Sequence, residues 1–571
     1  MLAAATWASG QTTIYVATTG SDLTGDGTAG NPFLTISNAV AQAEVADVVL
    51  VNPGVYTQSV QIYINKNITV RGMHGPTGVV VTTRYPDVNY STRCVRVNSA
   101  GAVLDGVTLE RGYPPNNYVN QYAHGGGILV EAGLVTNCVI RENQSRRGGG
   151  VALWTENACM RNCWISNNVS AYGGGVVFGD NYFNQGGARL LDCVINSNTT
   201  TENGGGIYAF TDGVISNCFI ADNNAGSGWG GGICGYGAGL LVVDSVVSNN
   251  LGLGGAGISV YDNGYMTVRN TTVTRNIAKV AGGGVHCMRT STEGGMLITN
   301  CVISYNAATN YHGCGIMDGY LTGATSSGLL EVVNTRIIGN GTNTSRYGGG
   351  AFIYTHGTAS FHNCQIISNN LGLNNYSYGA GMYVGTGSAF VIVKNCLLAD
   401  NFCTGPNSSG GGICFYWQLG NKSGPNPLQA TVESCTITDN SATRDYGGMY
   451  LAYNATEVTV LNTIVASNRA DRYHPDLHGE GDYRSSFSHS CAPELTNAAQ
   501  GNITNAPLFA GYDAGNYRMA QGSPCVNAGT NLPWMADAVD LDGHIRIDRF
   551  SRLVDMGCYE YLPQGIIFNL R

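Results

Sequence analysis

One short phrase, written twelve times, constrains what this chain can fold into more than any other feature. Its clearest copy is Asn300-Cys301-Val302-Ile303-Ser304-Tyr305-Asn306. The second position is Cys at 138, 163, 193, 218, 301, 364, 396 and 435, and Ser245, Thr271, Thr335 or Thr463 elsewhere. Five residues further on there is always an Asn: Asn143, Asn168, Asn198, Asn223, Asn250, Asn276, Asn306, Asn340, Asn369, Asn401, Asn440 and Asn468. A glycine cluster and an apolar residue usually follow, as at Gly148 to Val151. The copies lie 25 to 39 residues apart.

Self-similarity at that period signals a repeat architecture. The phrase alternates apolar and polar residues and is rich in Val, Ile, Thr and Cys, which is a strand pattern. Short strands recurring with Gly and Asn between them predict an all-β parallel solenoid, one coil per repeat. Every recurring position then becomes a column. The Asn column predicts an inward amide ladder at a turn. The Cys column (Cys138, Cys163, Cys193, Cys218, Cys301, Cys364, Cys396, Cys435) predicts a stack of small buried thiols rather than a disulfide framework, since Cys, Ser and Thr alternate there. Cys525 and Cys558 lie outside the column and are the pair open to a disulfide.

The net charge of −9 argues against a nucleic-acid partner. No apolar run is long enough for a transmembrane segment. Residues 1–47 read as an export-signal remnant and an N-terminal cap, with a capping helix near Ile36 to Ala46. Irregular coils follow over 48–125, regular repeats over 126–490, and a non-repeat C-terminal cap or anchor-like region over 491–571. Met1 to Gln11 is small and apolar and ends in Ala-Ser-Gly before Gln11, like the tail of a secretory signal peptide. The expectation is an exported protein, extracellular or on the cell surface.

The opening YVATTGSDLTGDGTAGNPFLTISNAVAQA, followed by VNPGVYTQSVQI, resembles secreted bacterial right-handed parallel β-helix proteins of the pectate-lyase-like superfamily. The Gly-Gly-Gly-Ile and Asn-Cys-x-Ile-x-x-Asn repeats resemble those of polymorphic outer-membrane proteins. The stretch from Ser523 to Gly529, with Asp540-Leu541-Asp542-Gly543 and Val554 to Glu560, is similar to the "choice-of-anchor" region of bacterial surface β-helix proteins. The resemblance implies architecture and export. It leaves chemistry open, because lyases, hydrolases, adhesins and structural proteins share the scaffold.

Three constellations are candidates for function. The residue before each glycine cluster forms a stripe if the coils stay in register; His124, Tyr172, Trp229, His312, Tyr347, Tyr378 and Tyr446 could stack on sugars, or shield the glycine turn. His474, Asp476, His478 and Glu480 could share one face of an extended segment, as metal ligands or an acid–base group would. Asp22 and Asp26 could hold calcium, although turn residues bonding their own backbone give the same pattern. His286, His312 and Asp318 are the catalytic candidates, assembled across neighbouring coils. No cofactor is required, and calcium is an ion that the pattern allows. The first reading is an exported structural or adhesive protein, able to self-associate end to end into filaments. The alternative is a carbohydrate-active enzyme, a polysaccharide lyase or glycoside hydrolase with a groove near 301–335 or 396–435, or a polysaccharide-binding module.

Overall fold

Twelve phrases become twelve three-residue strands, and backbone geometry explains why the phrase reads as it does. In the computed structural model its first residue is left-handed in every copy, from Asn137 to Asn462, with φ between 49° and 54°. Asn, Asp and Ser hold these places because their short polar side chains tolerate that conformation best after Gly. The residue before the ladder Asn is left-handed as well, with φ between 54° and 64°. A strand of three residues is thus bent at both ends, which turns the chain into a coil. The structure describes residues 11–84, 92–115, 123–180, 186–237, 239–288, 294–310, 312–319, 328–342, 344–354, 357–372, 375–385, 390–416, 429–452, 457–478, 485–496 and 500–563.

The chain divides into two compact units, residues 1–252 and 253–571. Each is a right-handed parallel β-helix. In the first, the phrase strands Thr108–Glu110, Val139–Arg141, Trp164–Ser166, Val194–Asn196, Phe219–Ala221 and Val246–Ser248 pair in parallel, one per coil. The glycine clusters lead into a second set of rungs, Val151–Leu153, Val176–Phe178 and Ile207–Ala209. The middle residues of the phrase strands (Ile140, Ile165, Ile195, Ile220, Val247) are fully buried and fill the coil interior. The helix forms over Ile36–Gln42, shorter than expected, capped by Thr35, whose Oγ1 accepts from the Asn38 N–H at 3.2 Å. Its buried face of Ile36, Ala39 and Val40 packs on the first coils.

The Asn column is a continuous ladder within each unit. Asn143 donates its backbone N–H and its side-chain amide to Asn168 Oδ1, both at 3.0 Å, and Asn168 does the same to Asn198. In the second unit the ladder runs from Asn276 through Asn306, Asn340, Asn369, Asn401 and Asn440 to Asn468. The Cys column works in a similar way. The Cys138 N–H points at Cys163 Sγ (3.5 Å), and the Cys163 N–H at Cys193 Sγ (3.4 Å). Ser245 and Thr335 accept at the same place in their coils, which is why hydroxyl and thiol exchange freely there.

All eighteen cysteines are free and buried. The disulfide open to Cys525 and Cys558 is therefore absent: Cys525 packs with Cys491 and Met519, and Cys558 with Leu397 and Tyr559.

The C-terminal segment also departs from expectation. Residues 500–505 extend the coil stack by part of a turn, since the Ser490 N–H donates to Asn502 Oδ1 and Ile503 bridges Cys491. The rest lies along the flank of the phrase strands instead of over their end. Asn462 grips the Thr530 peptide in both directions, accepting its N–H at 2.7 Å and donating to its carbonyl at 2.8 Å. The Cys558 N–H bonds Thr436 Oγ1 and Asn395 bonds the Val539 carbonyl. The two motifs of this region form one polar knot. Asp540 accepts from the Asp542, His544 and Glu560 N–H groups, while fully buried Arg546 bonds the Gly557 carbonyl and sits 3.2 Å from Glu560.

Candidate functional site

The predicted stripe exists. In the first unit His124 bridges Arg147, which bridges Tyr172; in the second, Ala281, His312, Tyr347, Tyr378, Ser409, Asp445 and Tyr473 succeed one another. Tyr446 is one place out. Its coil has only two glycines, so Tyr446 itself takes the left-handed position (φ 58°) that Gly348 (φ 64°) or Gly410 (φ 67°) fills elsewhere, and Asp445 occupies the stripe. Trp229 and Tyr172 pack against an aromatic cluster of Trp154, Tyr208 and Phe210 in the first unit.

In the second unit the rings stack on each other. Tyr347 and Tyr378 lie 5.7 Å apart at 17°, Tyr378 and Tyr416 5.3 Å apart at 15°, and Phe352 and Tyr383 5.2 Å apart at 7°. His312 stacks on Phe352 at 4.6 Å, and Tyr446 on Tyr450 at 4.7 Å. Rings so arranged turn their faces to one another and their edges outward, so most of the stripe is packing, at about 0.5–1.5 kcal/mol per pair beyond burial. Burial also pushes the Tyr378 and Tyr383 phenols well above their ordinary pKa.

The run of rings from His312 through Tyr347 and Tyr378 is interrupted at Ser409. Ser409 and Cys414 carry no ring, and Tyr416 leans across the gap to Tyr378 and Tyr450. Beside it lies a cleft of about 500 Å³ lined by Arg346, Tyr347, Asn375, Tyr376, Tyr378 and Tyr416. Tyr376 is 50% exposed and Arg346 is exposed. The lining offers phenols, an amide and a guanidinium as hydrogen-bond groups beside apolar ring surface, and among the described residues it contains no carboxylate. Such a site can bind and orient a polyhydroxylated ligand.

The catalytic candidates do not converge. The register sets His286 opposite Met317 and Cys287 opposite Asp318, so His286 and Asp318 face opposite sides of the sheet. His286 is buried, its Nε2 lies 2.9 Å from the Gly319 carbonyl, and burial lowers its pKa to about 4. His312 belongs to the aromatic stack, against Tyr347 and Phe352.

A charged cluster that sequence reasoning missed lies in the first unit. Buried Asp180 pairs with Arg147 and sits 3.7 Å from His124 Nε2, and Arg93 donates to the His124 carbonyl at 2.7 Å. Burial lowers the His124 pKa to about 4 against the pull of Asp180, leaving a neutral imidazole edge-on to Trp154. With side chains 2–10% exposed, this trio is a structural network beneath the aromatic cluster. Nothing in local sequence announces it, because Asp180 meets Arg147 across 33 positions.

The acidic–histidine stretch is also dispersed. His474 is left-handed (φ 42°), which breaks the extended alternation that would align its neighbours. His474 and His478 join the aromatic face at Tyr446, whereas Asp476 turns inward and is buried. Glu480 lies outside the described residues, as do 320–327 and 417–428 of the longer coils. Asp22 accepts from the Leu34 and Thr35 N–H groups and the Thr35 hydroxyl, and Asp26 from Thr28, so both bond their own loop. Among the described residues, one group of three ligating side chains lies within 4.8 Å: Asp540, Asp542 and His544. Three N–H groups already occupy Asp540, and Arg518 holds Asp542 at 2.5 Å through two bonds. No helix among the described residues is long and apolar enough to cross a membrane.

Comparison with known proteins agrees with the architecture. The family described as "Right handed beta helix region" matches residues 181–320. No curated protein matches the sequence. Among solved structures, a pectate lyase is 13% identical with 96% of each chain covered and a TM-score of 0.25. The catalytic unit of an alpha-1,3-glucanase from Streptomyces thermodiastaticus is 15% identical, covering 82% of this chain and 69% of that one, with a TM-score of 0.38. An alginate lyase is 10% identical over 79% and 78%, with a TM-score of 0.32. At these values no residue, reaction or ligand transfers to this chain.

Proposed function

We propose that this protein is an exported polysaccharide-binding β-helix whose second unit recognises a glycan in the tyrosine-lined cleft. The observation behind the reading is the cleft itself, where Tyr376 and Arg346 stand open beside Tyr378 and Tyr416. Sugars present apolar C–H faces and a rim of hydroxyls, and the cleft answers both with ring surface and with hydrogen-bonding groups. Binding is favoured over hydrolysis because the lining holds no carboxylate among the described residues.

The adhesive, filament-forming reading has less behind it. End-to-end assembly needs open strand edges. Here the helix Ile36–Gln42 packs on the first coils, and residues 500–505 follow the last phrase strands.

The test is affinity electrophoresis of the full chain through gels containing soluble neutral and acidic polysaccharides. Retardation by at least one glycan, reduced in Tyr376→Ala and in Arg346→Ala, supports the reading. Unretarded migration through every gel, or variants retarded like the wild type, refutes it.

A further inference from the structure

The first unit carries a second surface that the cleft does not explain. The register sets Val139, Trp164, Val194, Phe219 and Val246 in one column on the outer face of the phrase strands. Trp164 is 52% exposed and Phe219 45%, and the valines between and beside them are half-buried. Beneath them the inward isoleucines are fully buried, so the platform is rigid.

Trp164 is held in place. Its indole N–H donates to Asn196 Oδ1 at 2.6 Å, and Asn196 is one coil on, in the rung whose Val194 is the partner of Trp164. The ring therefore reaches along the column across the next rung. Its N–H is tied and its ring surface is left to solvent.

The same column in the second unit shows how this face looks when a polypeptide covers it. There Leu397, Thr436 and Ile464 are buried under the C-terminal segment, which packs Tyr517 and Tyr559 with Leu397, and Met519 and Met556 with Ile464. The sheet offers aliphatic and hydroxyl groups and the cover brings the rings. In the first unit the rings belong to the sheet itself, two rungs apart. Rungs are spaced about 4.8 Å, so the backbone positions that carry the two rings lie roughly 9–10 Å apart.

That interval is close to two sugars of an extended chain. In a β-1,4-linked ribbon successive sugars are flipped, so every second one presents the same face, as every second rung here presents a ring. We infer that the Trp164–Phe219 column is a platform for a flat, extended β-1,4-linked polysaccharide of the cellulose or chitin type. The inference stands independently of the cleft.

The experiment is a depletion assay of the full chain on microcrystalline cellulose and on chitin particles. The wild type is expected to partition onto at least one of them. Trp164→Ala or Phe219→Ala should weaken partition roughly tenfold, the equivalent of one good ring contact. The double variant should abolish it. Trp164→Phe keeps a ring without the N–H and should retain part of the binding. The inference is overturned if the wild type stays in solution with both particles, or if the double variant, folded by circular dichroism, binds like the wild type. It is equally overturned if light scattering shows a dimer that Trp164→Ala dissolves, since a second copy would then cover the column.

Discussion

Asn468 donates both its backbone N–H (2.6 Å) and its side-chain amide (2.9 Å) to one carboxylate oxygen of Asp476. Each earlier Asn of the second unit finds its acceptor on the next Asn; the last finds it on an aspartate. Asp476 is 5% exposed, and burial raises its pKa to about 6 against the two bonds from Asn468, with Glu494 adding to the rise. A carboxyl whose folded pKa lies above its unfolded value favours folding in the protonated form. That contribution is full below about pH 4 and is lost as pH rises through about 6. Asp476→Asn keeps the acceptor and removes the charge. We predict that it matches or exceeds wild-type stability at pH 7.5 and flattens the pH dependence between 4 and 6, by about 3 kcal/mol at most. Thermal melts across that range check this.

An aspartate tolerable at the end of the ladder is intolerable inside it. Asn306 accepts from Asn276 and donates its own amide to Asn340 Oδ1 and to the Val273 carbonyl. Asn306→Asp would set a carboxylate oxygen against two acceptors. Asn306→Ala leaves the Asn276 donors without their acceptor, at a cost of about 2–5 kcal/mol. We expect Asn306→Asp to be worse than Asn306→Ala at pH 7.5 and to recover at pH 4, where protonation restores a donor. Urea unfolding at the two pH values separates them.

The parts of this fold that were legible are those where one backbone position demands one kind of side chain. The ladder Asn is such a position, and so is the Cys, Ser or Thr that accepts from the coil before it. The bend before the ladder was not legible. Glu142, Arg275 and Tyr305 all adopt it, because the rungs on either side impose the conformation whatever the residue. Asp476 was misplaced for a related reason. Read as an extended strand it shares a face with His474 and His478, but the left-handed His474 turns it inward. The C-terminal segment has no period, so nothing in its spacing pointed to the flank, and the cleft gathers Arg346, Tyr376 and Tyr416 from positions that only the folded coils bring together.

Tyr305 shows that strain of this kind can be removed. It is 60% exposed and left-handed at φ 54°, a place where Gly339 serves in the next coil. An aromatic residue there is disfavoured by about 1–2 kcal/mol, part of which Gly returns through its freer unfolded chain. We predict that Tyr305→Gly raises stability by about 0.5–1 kcal/mol in equilibrium unfolding.

The thiols give a chemical count. All eighteen are free and buried. A thiol-reactive chromophore should therefore label almost none in the native protein within minutes and all of them in denaturant without reductant. A column cysteine should also tolerate Ser. Cys163 accepts from the Cys138 N–H and donates to the Arg161 carbonyl, a role a hydroxyl can fill. We expect Cys163→Ser to cost under about 1 kcal/mol and Cys163→Val, which can do neither, about 1–3 kcal/mol.

Two tyrosines of the cleft should separate binding from stability. Tyr378 is held between Tyr347 and Tyr416, so its truncation removes two stacked contacts and opens a gap in the ladder. Tyr376 stands half in solvent. Tyr378→Ala should lower stability by about 1–3 kcal/mol, whereas Tyr376→Ala should stay within about 0.5 kcal/mol of the wild type. Both line the same cleft, so both should weaken glycan retention when measured well below the melting transition. A Tyr376→Phe variant keeps the ring and loses the hydroxyl. If it binds like the wild type, ring contact carries recognition at this position; if it binds like Tyr376→Ala, the phenol hydroxyl does. Titration of one retained polysaccharide against the four proteins, with melts on the same samples, decides between them.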